Sequence, residues 1–140
     1  MVRRASRTTL ISMVWTSTGS LEAVPARRHP ELLSAPVADA LARLDPVIAE
    51  TVGVAAIDPS LADTAAFGDR YGVAPDASAN CVVVKGKRGG DIRFAACMVL
   101  ATTRADVNGV VRRRLDVRSA SFAPMDEAVA LTGMVMAILS

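Results

Sequence analysis

The segment from Asn80 to Thr102 leaves this chain few ways to fold. Cys81-Val82-Val83-Val84 is a continuous apolar, largely β-branched run. Gly86-Lys87-Arg88-Gly89-Gly90-Asp91 follows as turn chemistry, and Ile92 to Thr102 returns as a second extended run. Two such runs joined by a glycine-rich connection predict a β-hairpin. In the returning strand Ile92, Phe94, Ala96, Met98 and Leu100 fall on one side, and Ala95, Cys97, Val99 and Ala101 on the other are also apolar. A strand apolar on both faces is expected in the interior of a sheet. The rest of the chain must then supply cover.

That cover reads mostly as helix. Ser34-Ala35-Pro36 predicts a helix start with proline in its first turn, with Val37, Leu41 and Leu44 on one face and Asp45-Pro46 as the stop. A strand is expected around Val52 to Ile57. Asp58-Pro59 caps a helix that ends near Gly68 to Gly72, and Val73 to Ala79 reads as a loop. Thr103, with Asp106 three places on, predicts a capping box. The buried stripe of that helix is Val107, Val110, Val111 and Leu115, and Gly109 inside it costs about 1 kcal/mol relative to alanine. Val117 to Phe122 alternates as a strand. Pro124 to Leu131 is a short helix stopped by Gly133, a natural C-terminal cap. Helices and strands alternate without a strict βαβ rhythm, so the expected class is α+β, a sheet flanked by helices.

Composition narrows the function. The chain has 140 residues and 51% hydrophobic content, much of it Ala and Val in short runs. It is expected to form one domain with a substantial core. Nothing approaches the roughly 18 uninterrupted apolar residues of a membrane span, so no membrane partner is expected. Cys81 and Cys97 show no metal-ligand spacing and read as buried small hydrophobes. His29 has no ligand-type neighbour, so neither metal nor other cofactor is expected. No GxSxG, HExxH or P-loop motif occurs, and the Gly86–Gly90 segment lacks the Ser/Thr and helix of a phosphate cradle.

Charge is unevenly placed. Residues 29–78 hold eight acidic and two basic side chains, whereas residues 85–118 hold nine basic and three acidic. The net charge of +2 therefore conceals a dipolar molecule. A basic half suits a phosphate backbone. Arg112, Arg113 and Arg114 also complement the dipole in the last turn of a predicted helix.

Four stretches, in order, carry a resemblance. They are Asn80 to Val84, Arg104 to Val107, Leu115-Asp116-Val117-Arg118-Ser119-Ala120-Ser121-Phe122-Ala123-Pro124, and Asp126-Glu127-Ala128 leading to Leu131-Thr132-Gly133. Together they resemble the YbaK/prolyl-tRNA-synthetase-associated editing domain family, loosely from Pro30 onward. The resemblance implies a curved, mostly antiparallel central sheet flanked by helices around a pocket. It also implies removal of a wrong amino acid from mischarged aminoacyl-tRNA, by hydrolysis or displacement at the ester. The family carries a lysine where this strand begins. Here that position is Asn80 or Cys81, and Lys85 stands too far along to match. Ser119 replaces a second basic residue found in many relatives, and the family's glycine-rich loop after Thr132-Gly133 has no counterpart.

The resulting expectations are specific. Cys81, near the position of the missing lysine, is the catalytic candidate, since a thiol with a depressed pKa is a nucleophile. Ser119 and Ser121, two apart on a strand and hence on one side, are substrate-binding candidates together with Thr132 and Gly133. Lys85, Lys87, Arg88, Arg112, Arg113, Arg114 and Arg118 are the tRNA-binding candidates. The expected protein is a cytoplasmic deacylase acting in trans. The alternative is an inactive, truncated relic or tRNA-binding module of the same fold. Residues 1–26, with Arg3, Arg4 and Arg7 before a weak apolar stretch, are expected as a disordered leader or a misassigned start, the domain being 27–140 without the family's final loop and strand. Val135 to Leu139 is expected to pair with the sheet or to promote self-association.

Overall fold

A computed structural model describes residues 15, 18–61 and 64–134. The expectation for Val135 to Leu139 and most of the expected leader lie outside the described residues.

Three strands form the main sheet: β3 (Ala79–Arg88), β4 (Asp91–Leu100) and β5 (Ser119–Phe122), in the order β4-β3-β5 with both pairings antiparallel. A second ladder joins β1 (Val24–Pro25) to β2 (Gly53–Val54). The helices are α1 (Ala35–Arg43), α2 (Pro46–Ala49), α3 (Thr64–Tyr71), α4 (Arg112–Arg114) and α5 (Met125–Thr132). The α+β class and the antiparallel sheet expected from the sequence are present.

The hairpin is tighter and longer than the glycine pattern suggests. β3 pairs with β4 out to Arg88↔Asp91, leaving Gly89-Gly90 as a two-residue turn. Gly89 has φ +60. Two-residue hairpin turns need a positive φ that matches strand twist, and glycine reaches it without steric cost.

The strand in the middle is β3, and β4 lies at an edge, which corrects the sequence reading. Val82, Val83, Val84 and Gly86 are buried, Val84 completely. On β4, Ile92, Phe94, Met98 and Leu100 are exposed. Apolar residues on both faces describe this edge strand as well as an interior one, so periodicity cannot separate the two cases. Cys81, expected in the core, is exposed. Burying a valine such as Val84 contributes about 1.5–3 kcal/mol, which makes β3 the sheet's main source of apolar stabilisation.

Several local signals resolve differently. The expected strand from Val52 to Ile57 shrinks to Gly53–Val54, paired with Val24–Pro25. Leu44 ends α1, and Asp45 caps α2, accepting from the Val47 amide at 2.8 Å. After Asp58-Pro59 the described residues hold a 3-10 turn (Pro59–Leu61) and α3. Asp58 caps that turn by accepting from the Ser60 amide at 2.9 Å and the Ser60 hydroxyl at 2.7 Å. These two bonds, the hydroxyl's first, lower the Asp58 pKa by stabilising its carboxylate.

Asp106, not Thr103, caps the next helical segment. Its carboxylate accepts from the amides of Gly109 at 2.8 Å and Val110 at 3.0 Å, while the Thr103 hydroxyl donates to the Leu100 carbonyl. The segment opens as a π-helical turn (Val107–Val111) and continues into α4. Val107 of the expected stripe is buried, but Val110 is exposed. A Cβ on Gly109 would collide with the Asp106 carboxylate, so the glycine makes room for the cap.

α5 ends as expected, with Gly133 at φ +65. A separate apolar cluster of Ala26, Leu41 and Ala49, with Leu33, Val37, Val52 and Val54 against it, lies under the β1–β2 ladder. Packing begins inside the stretch expected as leader: the Ser20 amide donates to the Tyr71 carbonyl at 2.7 Å, and Trp15 Nε1 donates to the Thr51 carbonyl at 3.1 Å.

Candidate functional site

The register of the sheet assembles a polar face that the sequence left scattered. Lys85 lies opposite Ser121, and Lys87 opposite Ser119. Directly paired residues on antiparallel strands point to the same side with Cβ atoms about 5 Å apart. Both lysines and both serines therefore share one face. They line an open cavity of about 330 Å3, completed by Phe122 and Pro124. The Ala123 amide donates to the Val83 carbonyl at 2.8 Å, which sets the alternation of the ladder. By that alternation the peptide groups of Ala120 and Phe122 point away from β3.

Lys85 has the most determined environment. Its Nζ lies 2.6 and 2.7 Å from the two carboxylate oxygens of Glu127, in the first turn of α5. The side chains are 17% and 34% exposed, so the pair is partly desolvated. The Phe94 ring, opposite Lys85 on β4, has its centroid 5.9 Å from the same ammonium. An ammonium has three donors, and the carboxylate occupies two. Sequence reasoning missed Glu127. It stands 42 residues from Lys85, and an acidic first turn alone reads as helix-dipole complementarity.

The other expected site residues lie elsewhere. Cys81 is on the same face as Lys85, opposite Met98, and does not line the cavity. Desolvation raises the pKa of its thiol and the neighbouring Cys97 adds to the shift, the opposite of what activates a nucleophile. Thr132 and Gly133 lie at the far end of α5. There the Ser34 hydroxyl donates to the Thr132 carbonyl at 3.0 Å, and Pro36 and Ser34 crowd Gly133.

The basic candidates divide into engaged and unengaged groups. Arg88 pairs with the Asp116 carboxylate, and Arg93 donates to the Leu115 carbonyl at 2.8 Å, so both brace the turn before β5. Asp116 sits there at φ +52, a conformation that aspartate tolerates better than most residues. Arg112 Nε donates to the Asn108 carbonyl at 2.8 Å. Lys87, Arg113, Arg114 and Arg118 are exposed and make no side-chain bond among the described residues. His29 pairs with Glu31 at 2.8 Å, and no group of three His, Cys, Asp or Glu side chains that could hold a metal occurs among the described residues.

The sheet, the cavity and α5 all fall within residues 58–140, which match the family model described as aminoacyl-tRNA editing domain. The match covers more than half of the chain, and the chain belongs to this family. Its role is thus in the editing of aminoacyl-tRNA. No curated protein and no solved structure gives a significant match. Among the described residues no helix is long and apolar enough to cross a membrane.

Proposed function

We propose that the chain is an aminoacyl-tRNA deacylase that acts in trans in the cytoplasm, hydrolysing the ester of a mischarged tRNA. The observation that carries this reading is the cavity in which Lys85, Lys87, Ser119 and Ser121 meet, inside the segment that matches the editing family. Its volume suits a small aminoacyl group.

The chemistry needs donors aimed at charge that develops on the carbonyl oxygen. Water adds to the ester carbon, the tetrahedral oxyanion collapses, and the bond to the terminal ribose oxygen breaks as that oxygen takes a proton. The Lys85 ammonium, oriented by Glu127, and the Ser121 hydroxyl are the donors proposed for the oxyanion, a contribution that preorganised groups make effectively. Arg113, Arg114 and Arg118 supply the unengaged charge for the phosphate backbone.

A second reading, a tRNA-binding module without turnover, is favoured by Asn80 and Cys81, which stand where the family has its lysine. Deacylation of a panel of mischarged tRNAs by the purified chain, beside Lys85→Met and Ser121→Ala, tests both. Turnover that falls at least tenfold in Lys85→Met supports the enzyme. Binding of tRNA without turnover of any ester supports the module.

A further inference from the structure

At the other edge of the sheet, β4 has β3 as its one neighbour among the described residues. It runs ten residues without proline or glycine, and its register with β3 holds from Arg88↔Asp91 to Ala79↔Leu100 without a bulge. One face of it is Ile92, Phe94, Ala96, Met98 and Leu100, all exposed. Edge strands ordinarily block pairing with a charge, a proline or a bulge. None stands on this face of β4: Arg93 belongs to the other face and donates to the Leu115 carbonyl.

We infer that β4 is the contact of a homodimer, pairing antiparallel with β4 of a second copy about a two-fold axis at Ala96 to make one six-stranded sheet. A two-fold contact must be self-complementary, and this face has the same character read in either direction. Ala96 is central, Phe94 and Met98 flank it, and Ile92 and Leu100 stand at the ends. Phe94 then lies opposite Met98 of the second copy, Ile92 opposite Leu100, and Ala96 opposite itself. Every opposed pair is apolar, and a thioether beside an aromatic ring is a favourable contact. Shifting the pairing by two residues sets Gly90 or Thr102 against one of the five, so the register centred on Ala96 alone pairs them all.

Charge selects the same arrangement. Lys87, Arg88 and Arg93 outnumber Asp91 at the Ile92 end of the hairpin. At the Leu100 end Asp69 and Asp76 outnumber Arg104: Asp69 shares a cavity with Ser78 and Ala101, and Asp76 lies in the turn Pro75–Ala77 just before β3. Antiparallel docking lays the basic end of each copy beside the acidic end of the other. It also keeps the two copies of Lys87 about 26 Å apart along the strands, beyond a Debye length. β5 and its cavity lie at the opposite edge, so both cavities stay open on one face of the dimer. The inference does not depend on the deacylase reading.

Sedimentation equilibrium of the full chain is expected to show a concentration-dependent dimer and nothing larger, because closure about one axis uses up the edge. Ala96 is exposed, so Ala96→Lys and Ala96→Glu keep the fold, which far-ultraviolet dichroism checks. Each alone is expected to weaken dimerisation at least tenfold, since like charges then meet at the axis. Mixed one to one, the two variants are expected to recover dimers, as a register that opposes position 96 to itself requires. In a Cys81→Ser/Cys97→Ser chain, Ala96→Cys should cross-link on mild oxidation and Met98→Cys should not. A chain that stays monomeric at every concentration, whether its own residues or nothing covers β4, overturns the dimer. So do assembly beyond two copies, a dimer that both Ala96 variants leave unchanged, and a mixture that fails to recover.

Discussion

Lys85 on β3 and Glu127 on α5 form a two-oxygen ion pair at 2.6 and 2.7 Å that fastens the last described helix to the middle strand of the sheet. Ala128, beside Glu127, is buried, so the polar tie and the helix's apolar contact occur together.

Removing the carboxylate leaves a partly desolvated ammonium without its partner. Glu127→Gln is expected to lower stability by about 1–2 kcal/mol, less than a fully buried charged hydrogen bond because both side chains remain partly wet. Urea unfolding at fixed ionic strength measures it. A double-mutant cycle with Lys85→Met should show coupling of about 1 kcal/mol, and additive losses would mean that the contact is incidental.

Gly86 marks a close approach. A Cβ there would lie 2.6 and 2.9 Å from the methyls of Val117, which packs directly on β3. Gly86→Ala should therefore cost about 1–3 kcal/mol, and Val117→Ala in the same chain should recover part of it. Gly90, with open space around it, is the control: Gly90→Ala should change the unfolding midpoint little.

The Cys81 thiol sets a pH dependence. Its folded pKa is raised, by desolvation first and Cys97 second, so the folded chain holds the proton more tightly than the unfolded chain. That contribution is complete below the ordinary thiol range and is lost as pH rises through that range toward the raised value. Stability should fall over this window, and Cys81→Ser should flatten the fall. Iodoacetamide should modify Cys81 slowly at neutral pH; rapid modification there would contradict the raised pKa.

Met98 is 70% exposed on the edge strand β4, beside Phe94 and Leu100 on the same face. A long apolar edge invites pairing with another chain. Met98→Lys should reduce concentration-dependent association in light scattering with little change in stability, since a charge on an edge opposes edge-to-edge pairing.

Legibility followed the range of the interactions. The proline at the start of α1, the Asp58 cap and the left-handed Gly133 are each set within a few residues and could be read directly. The location of β4 at the edge could not, because alternation describes a strand's faces and says nothing of its neighbours. Asp106 displaced Thr103 as cap because Gly109 leaves room for its carboxylate, a fit that exists only in three dimensions. At the site, the shared side of Ser119 and Ser121 was readable from their spacing. Their alignment with Lys85 and Lys87 needed the β3–β5 register, and Glu127 needed the docking of α5.

Trp15 is the chain's one tryptophan, and its ring lies where a side chain on Gly53 would otherwise go. Its fluorescence therefore reports on the small β1–β2 ladder and is silent about β3, β4 and β5. A melting curve followed by tryptophan emission and another followed by far-ultraviolet dichroism thus watch different parts of the molecule. Coincident curves would mean that the ladder and the editing sheet unfold as one cooperative unit; separated curves would give each its own midpoint.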